Sequence, residues 1–329
     1  MAPALAEIVR AARTRADVPA VVAGLLCDGR VELAADGDAK VDTPFRIASI
    51  TKSFTATAVS LAGLLDDRRR ALLSHTAGCR PESLEPLPPE CTGLWSYSNA
   101  GYQEAAAAFD GEYSDALREL VLDPLRLRNT SFETPADGVL GTLPGDLAAD
   151  PAYPVERRPI GGLWSTASDL LAYGLAHCRR WAHLHEPVAE ALGARYALGW
   201  WVREGVVDHE GSVAGYQSLL MLVPAEEVVL AVLTNSWRGS ALIRHVVEAL
   251  DIVSPASGTG SAGDGRYRLD GFEATVANGR VVERERDPVT GTSIERRYPV
   301  SHDAVLMSWR TDFPRDGVAR IGWVALPRS

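Results

Sequence analysis

Apolar, β-branched runs gather at both ends of the first 253 residues and leave a long helical stretch between them, so the chain must build a sheet interrupted by an insertion. A helix over 3–15 precedes Val21-Val22-Ala23-Gly24-Leu25-Leu26 and Val31-Glu32-Leu33, two strand-like runs joined by a turn at Asp28-Gly29-Arg30. That pair opens an antiparallel sheet. The helical middle runs from Ser49 to about Arg180; strands return at about 197–203, 206–209, 215–223 and 228–234, and a helix over 239–251 follows.

Within the helical middle lies one of only two lysines, Lys40 and Lys52; arginine supplies the other positive charges. A Lys placed in an apolar stretch of so Arg-rich a chain points to a task that Arg cannot perform, the loss of a proton. Ser49-Ile50-Thr51-Lys52 places a hydroxyl three residues before that amine. On a helix from Ser49 to Leu65, positions i and i+3 share a face, so the pair reads as a nucleophile and its base. Two fixed positions are weak by themselves. Two more segments add weight: Tyr97-Ser98-Asn99 within Trp95–Tyr102, and His209-Glu210-Gly211-Ser212 between strand-like runs.

The order Ser-x-x-Lys, Tyr-x-Asn, His-x-Gly resembles the serine penicillin-recognising superfamily, and within it the class C β-lactamase-related branch of DD-peptidases, D-aminopeptidases, esterases and some peptide-cyclising thioesterases. Supporting segments are Phe45-Arg46-Ile47-Ala48, Leu72-Leu73-Ser74-His75-Thr76-Ala77-Gly78, Asp123-Pro124-Leu125, Thr130-Ser131-Phe132 and Gly161-Gly162-Leu163-Trp164-Ser165-Thr166. The resemblance spans roughly Met1 to Val253. It implies an α+β fold, a β-lactamase-like antiparallel sheet flanked by helices plus an all-helical subdomain, with Ser49 at their junction and His209 alongside.

For the site, the resemblance implies an acyl-enzyme on Ser49. A serine hydroxyl is a poor nucleophile near neutral pH, so a buried Lys52 of lowered pKa, or a tyrosinate beside it, takes the proton. Tyr97 shuttles a proton to the leaving group and helps activate the water or amine that resolves the intermediate. To act as a base its pKa must fall well below ~10, which a nearby ammonium favours. Asn99 bonds the substrate amide or holds Lys52. His209, where many relatives carry lysine, donates to a substrate carboxylate or to Tyr97, with a charge that switches near physiological pH. Gly211 lets the substrate backbone lie against its strand, and the oxyanion hole is formed by the Ser49 and Ser212 amides. Trp164, Trp200 and Trp201 are candidates to wall the acyl pocket, though aromatics in strand-like segments are more often core. Trp200 and Trp201 alternate faces, so at most one points at the site.

His75 is expected in a structural turn, and His183-Leu184-His185 in a loop without metal-ligand spacing. No metal or cofactor is expected. Cys27, Cys79, Cys91 and Cys178 form no C-x-x-C; Cys79 and Cys91 bracket a Pro-rich loop and could pair only under oxidising conditions. The net charge of −10 argues against nucleic acid as a partner, and no apolar run is long enough for a bilayer. The opening residues read as an amphipathic helix instead of a signal peptide, so the expected location is cytoplasmic.

The expected organisation is a catalytic domain over 1–253, a Gly/Ser/Ala-rich linker over 254–265 and a small C-terminal β domain over 266–329. The last contains a hairpin signal at Ala277-Asn278-Gly279 and strand-like runs at Phe272–Val276, Val281–Arg284 and Ala304–Trp309. From Arg266 onward eleven Arg face nine Asp and Glu, so this tail carries about +2 and the rest about −12; docking of the two is expected. Relatives carry a longer segment between the nucleophile helix and Leu72, and the stretch from Gly78 to Trp95 is short as well. Both imply an opened cleft for a larger or tethered donor. The reading is a serine hydrolase or acyl-transfer enzyme acting on a small-molecule or peptidyl ester or amide. The alternatives are a peptide-cyclising thioesterase or transacylase of natural-product biosynthesis, with a possible carrier-protein-bound donor, and a binding or sensor protein that does not turn over.

Overall fold

The computed structural model describes residues 4–213, 215–252, 265–270, 272–278, 280–286, 291, 293–299, 311–315, 318–321 and 324–328. Helix α1 (Leu5–Ala16) buries Leu5, Ile8, Val9 and Ala12, the i, i+3, i+4, i+7 stripe of an amphipathic helix, and ends on Asp17 in the left-handed region at φ 53°. Strands β1 (Ala20–Cys27) and β2 (Arg30–Gly37) follow as a hairpin in register Cys27↔Arg30. Its two loop residues, Asp28 and Gly29, both have positive φ, as a primed turn requires.

The other sheet strands lie far along the chain: β3 (Ala189–Ala191), β4 (Ala194–Tyr196), β5 (Trp201–Arg203), β6 (Val206–Val213), β7 (Tyr216–Val223) and β8 (Val228–Thr234). The spatial order is β2-β1-β8-β7-β6-β5-β4-β3, and each neighbouring pair is antiparallel. The first and last strand groups therefore meet at β1–β8, where Val21 faces Thr234. β3 and β4 escape the sequence pattern because three-residue strands are too short to show a period of two. The expected 197–203 strand shrinks to Trp201–Arg203 for the reason that Ala197 turns back to bond Trp200.

Both faces of the central strands are covered. Val21, Ala23, Leu230 and Val232 pack under α1 and a C-terminal helix over Gly239–Leu250, whereas Val22, Val229, Ala231 and Leu233 join the larger core with Phe54, Leu171 and Tyr173. That larger core includes α2 (Thr51–Leu61), α3 (Asn99–Ala106) and α4 (Ala167–Arg180). The fold is α+β, a β-lactamase-like antiparallel sheet flanked by helices with a largely helical insertion.

The C-terminal strands form a four-stranded antiparallel sheet, 265–269, 272–277, 280–286 and 293–299, and a three-stranded one, 311–315, 318–321 and 324–327. An isolated bridge between Tyr267 and Arg328 ties the two together. The Ala277↔Arg280 register, with Asn278 at φ 52°, places a hairpin at the Asn-Gly signal. The linker 254–264 and the Ala304–Trp309 run lie outside the described residues. Tyr267, Leu269, Val276, Val281 and Leu326 share one apolar cluster with Leu87 and Cys91 of the 78–95 loop. Ala325 N–H donates to Ser96 Oγ at 3.2 Å, and Arg80 pairs with Asp270 at 2.8 Å. The tail thus docks on the segment that leads directly into Tyr97. Cys91 is buried beneath it and directs its thiol to Ala325 O, while Cys79 is a separate free thiol.

Candidate active site

Ser49 stands at a tightly clamped turn. Phe45 and Arg46 pair with Ser165 and Trp164, Ile47 N–H donates to Leu163 O at 2.9 Å, and Ser218 Oγ donates to Ile47 O at 2.8 Å. Ala48 is buried at φ 48°, an uncommon conformation for a residue with a Cβ that the surrounding bonds enforce. The chain then enters a 3-10 turn, Ala48–Ile50, and α2 begins only at Thr51. Ser49 accordingly lies just before the helix N-terminus, not inside a regular helix, and is half-buried.

Lys52 is fully buried on the first turn of α2. Its Nζ lies 3.1 Å from Ser49 Oγ and donates to Ile160 O at 2.8 Å; the Tyr97 and Tyr102 rings lie 4.8 and 5.7 Å away. Burial pushes the amine well below the usual lysine range, Glu82 opposes this shift and Arg157 adds to it. A neutral amine has two N–H groups and one lone pair, so it can donate to Ile160 O and accept the Ser49 proton.

Tyr97 precedes α3, whose N-cap Ser98 accepts from Gly101 N–H at 3.1 Å and donates to Arg80 O at 2.7 Å. The Tyr97 hydroxyl is pushed well above its ordinary value, chiefly by burial and then by Tyr196; the neighbouring Ser49 side chain acts the other way. The expected tyrosinate base is therefore corrected. An upward shift from an ordinary value already above neutral leaves Tyr97 as a protonated hydroxyl.

His209 is also corrected. On β6 its Nδ1 contacts Glu210 O at 2.6 Å and Nε2 lies 3.4 Å from Tyr196 Oη. A carbonyl can only accept, so Nδ1 carries the proton and Nε2 is the acceptor. Burial, aided by Lys52, pushes its pKa down to about 3. The ring is neutral throughout the physiological range and does not switch there. Gly211 serves a different neighbour from the one expected: a Cβ would run into Ile47 O and Ser218 Oγ and reach Ala48 Cβ at 3.1 Å. The glycine lets β6 lie against the turn that carries Ser49. Gly211→Ala should therefore shift Ser49 and lower kcat/KM by at least about tenfold, with a loss of about 1–3 kcal/mol in stability. Ester turnover read beside a thermal melt checks both.

Asn99 does not hold Lys52. Its Nδ2 donates to Glu82 Oε1 at 2.6 Å, and Glu82 Oε2 accepts from Arg157 Nη1 at 2.7 Å. Ser212, beside Gly211, accepts from Gln217 Nε2 at 2.7 Å. Trp164 is 1% exposed, edge-on to Tyr216 and stacked on the Arg46 guanidinium, which makes it a core residue and not a pocket wall. Trp200 packs in the main core, whereas Trp201 joins Trp95, Tyr97 and Tyr196, so the alternation of faces holds.

Sequence reasoning missed Glu82, Arg157, the Ile160 carbonyl and the closeness of His75. His75, at φ 60°, accepts from Ser98 N–H at 3.0 Å through Nδ1 and lies 4.2 Å from the Tyr97 ring. Burial holds it neutral. His185 contacts His177 at 3.1 Å, and among the described residues no group of three or more His, Cys, Asp or Glu is placed to hold a metal ion. Nor is any described helix long and apolar enough to cross a membrane.

Similar folds occur in a β-lactamase from Sulfitobacter sp. EE-36 (17% identity, TM-score 0.65, 74% of this chain and 96% of that one) and in SurE (20% identity, TM-score 0.67, 99% and 98%). A D-stereospecific amidohydrolase from Streptomyces sp. is 19% identical, with a TM-score of 0.62 over 74% of this chain and 98% of that one. The likeness to SurE includes the C-terminal strands. No curated protein matches the chain. The family model described as Beta-lactamase matches residues 5–250, about three quarters of the sequence and every motif from Ser49 to Ser212, so the chain belongs to the Beta-lactamase family.

Proposed function

We propose that this protein is a serine acyl-transfer enzyme that forms an acyl-enzyme on Ser49 from a peptide-like ester or amide. The observation that carries the proposal is the fully buried Lys52 amine 3.1 Å from Ser49 Oγ. In the first step neutral Lys52 takes the Ser49 proton as Oγ bonds to the carbonyl carbon, and the negative charge that develops on oxygen is met by the Ser49 and Ser212 amides. The bond to the leaving group then breaks while Tyr97 gives it a proton, which Lys52 replaces. Water or an amine then enters and bonds to the acyl carbon, passing a proton through Tyr97 to Lys52; Lys52 returns that proton to Ser49 Oγ as the acyl group leaves.

Names among the similar structures direct the choice of acyl group: SurE with D-Leu, a D-alanine carboxypeptidase from Pseudomonas syringae and the D-stereospecific amidohydrolase. The acyl donor proposed here carries a D-residue at the reacting carbonyl. Transfer to an amine in place of water, as in a peptide-cyclising thioesterase, is a second reading. The tail strands favour it, because they pack on the loop that leads into Tyr97.

N-acetylcysteamine thioesters of N-acetyl-D-leucine and N-acetyl-L-leucine, each with and without an added amine, test both points. The expected result is Ser49-dependent turnover at least about tenfold faster for the D form. Preference for the L form would overturn the assignment of configuration, and product containing only water-derived acid in excess amine would overturn transfer.

A further inference from the structure

Glu82 and Arg157 belong to neither of the motifs that carry the nucleophile and its base, yet they meet beside them. Glu82 lies on the 78–95 loop, where Pro81 O accepts the N–H groups of Asn99 at 2.7 Å and Ala100 at 3.2 Å, so the loop is seated on the first turn of α3. From there the two carboxylate oxygens divide: Oε1 accepts from Asn99 Nδ2 and Oε2 from Arg157 Nη1. Arg157 closes the short turn Val155–Arg157 that leads to Ile160, whose carbonyl holds Lys52. The Glu82 and Arg157 side chains are 27% and 15% exposed, so solvent screens their fields only in part.

We propose that Glu82 and Arg157 are a positioning pair for the acyl transfer, one carboxylate orienting the Asn99 amide while the two opposite charges, bonded to each other, act on the Lys52 amine in opposite senses. This rests on the reading of Ser49 and Lys52 as nucleophile and base. The other polar groups around Lys52 cannot supply that balance. Ser49 is on its own turn, Tyr97 and Tyr102 flank it from the 95–106 segment as neutral phenols, and His75 and His209 face it from the 74–78 turn and β6 as neutral imidazoles. Of the charged side chains, Glu82 favours the ammonium and Arg157 disfavours it. Bound to each other they oppose one another at the amine, and burial is the largest influence on it.

The scarcity of lysine makes the test direct. Protein labelled with 13Cε-lysine has two side-chain resonances, from Lys52 and from exposed Lys40, and Lys40→Arg assigns them. Titrations compare wild type, Glu82→Gln, Arg157→Gln and the double variant; Glu82→Gln keeps an oxygen acceptor for Asn99 and removes only the charge. The Lys52 midpoint should fall in Glu82→Gln and rise in Arg157→Gln, by about half to one pH unit each given their partial exposure, and return near wild type in the double variant. The rising limb of p-nitrophenyl butyrate turnover should move with it. Arg157→Gln is the deciding arm, since it is the single variant expected to raise the midpoint.

Midpoints that stay fixed, or that move the same way in both single variants, would overturn the pair's role and leave it as a structural ion pair. Opposite shifts in the resonance with an unmoved turnover limb would uphold the pair and overturn Lys52 as the base. Circular dichroism of each variant separates these results from loss of the fold.

Discussion

Replacing Lys52 with methionine or with arginine should reduce acylation of Ser49 by about 10²- to 10⁴-fold, the range for removing a positioned general base. The two variants fail for different reasons. Methionine keeps the volume of the aliphatic stem but offers Ser49 no basic nitrogen, and it should fold nearly as well as wild type, because a buried amine is replaced by a buried apolar chain. Arginine keeps a positive charge yet cannot lose its proton, and it forces a guanidinium into a fully buried site. Burst amplitudes with an activated ester measure the chemistry, and thermal melts measure the fold. Arginine within tenfold of wild type would show that a cation, not a base, is what Ser49 needs.

The pH dependence follows with a definite sign. With Lys52 as the proposed base, kcat/KM should rise as pH climbs through its lowered pKa and then level. With Tyr97 as the proposed proton donor and shifted well upward, the falling limb should lie beyond the pH at which an ordinary tyrosine titrates. His209, at about 3, adds no limb between pH 5 and 8.

Tyr97→Phe should lower turnover of an amide by about 10²- to 10³-fold and of a p-nitrophenyl ester much less. Phenylalanine preserves the ring that packs 4.2 Å from His75 and 4.8 Å from Lys52 and removes only the hydroxyl. An amine leaving group needs that proton, whereas nitrophenolate departs without one. The ratio of the two substrates therefore isolates the proton-donating step from any loss of packing. Equal losses would place the role of Tyr97 before the leaving group departs.

The fold and the site differ in how far they could be read from the chain. Long strands such as β1, β7 and β8, with an apolar residue at nearly every position, announced themselves, as did the Asp28-Gly29 and Asn278-Gly279 hairpins, because their signals are local. Ser49 and Lys52 were legible for the same reason, being one turn apart. Tyr97 and His209 could be nominated by motif order, but their protonation could not. It depends on desolvation among side chains such as Tyr196 and Trp201, which lie about a hundred positions beyond Tyr97. The neighbour of Gly211 was hidden likewise, since Ile47 and Ser218 reach it only once β6 and β7 fold over the Ser49 turn. Glu82 and Arg157 carry no motif at all; their meaning lies in a pairing across 75 positions.

The most direct test of the account is intact-mass spectrometry of wild type and Ser49→Ala after mixing with p-nitrophenyl butyrate and with the D-leucyl thioester, followed by peptide mapping. One acyl group on the peptide containing Ser49, absent from Ser49→Ala, is the predicted result. An adduct on any other residue, an adduct that survives in Ser49→Ala, or no adduct and no turnover with either donor would contradict it.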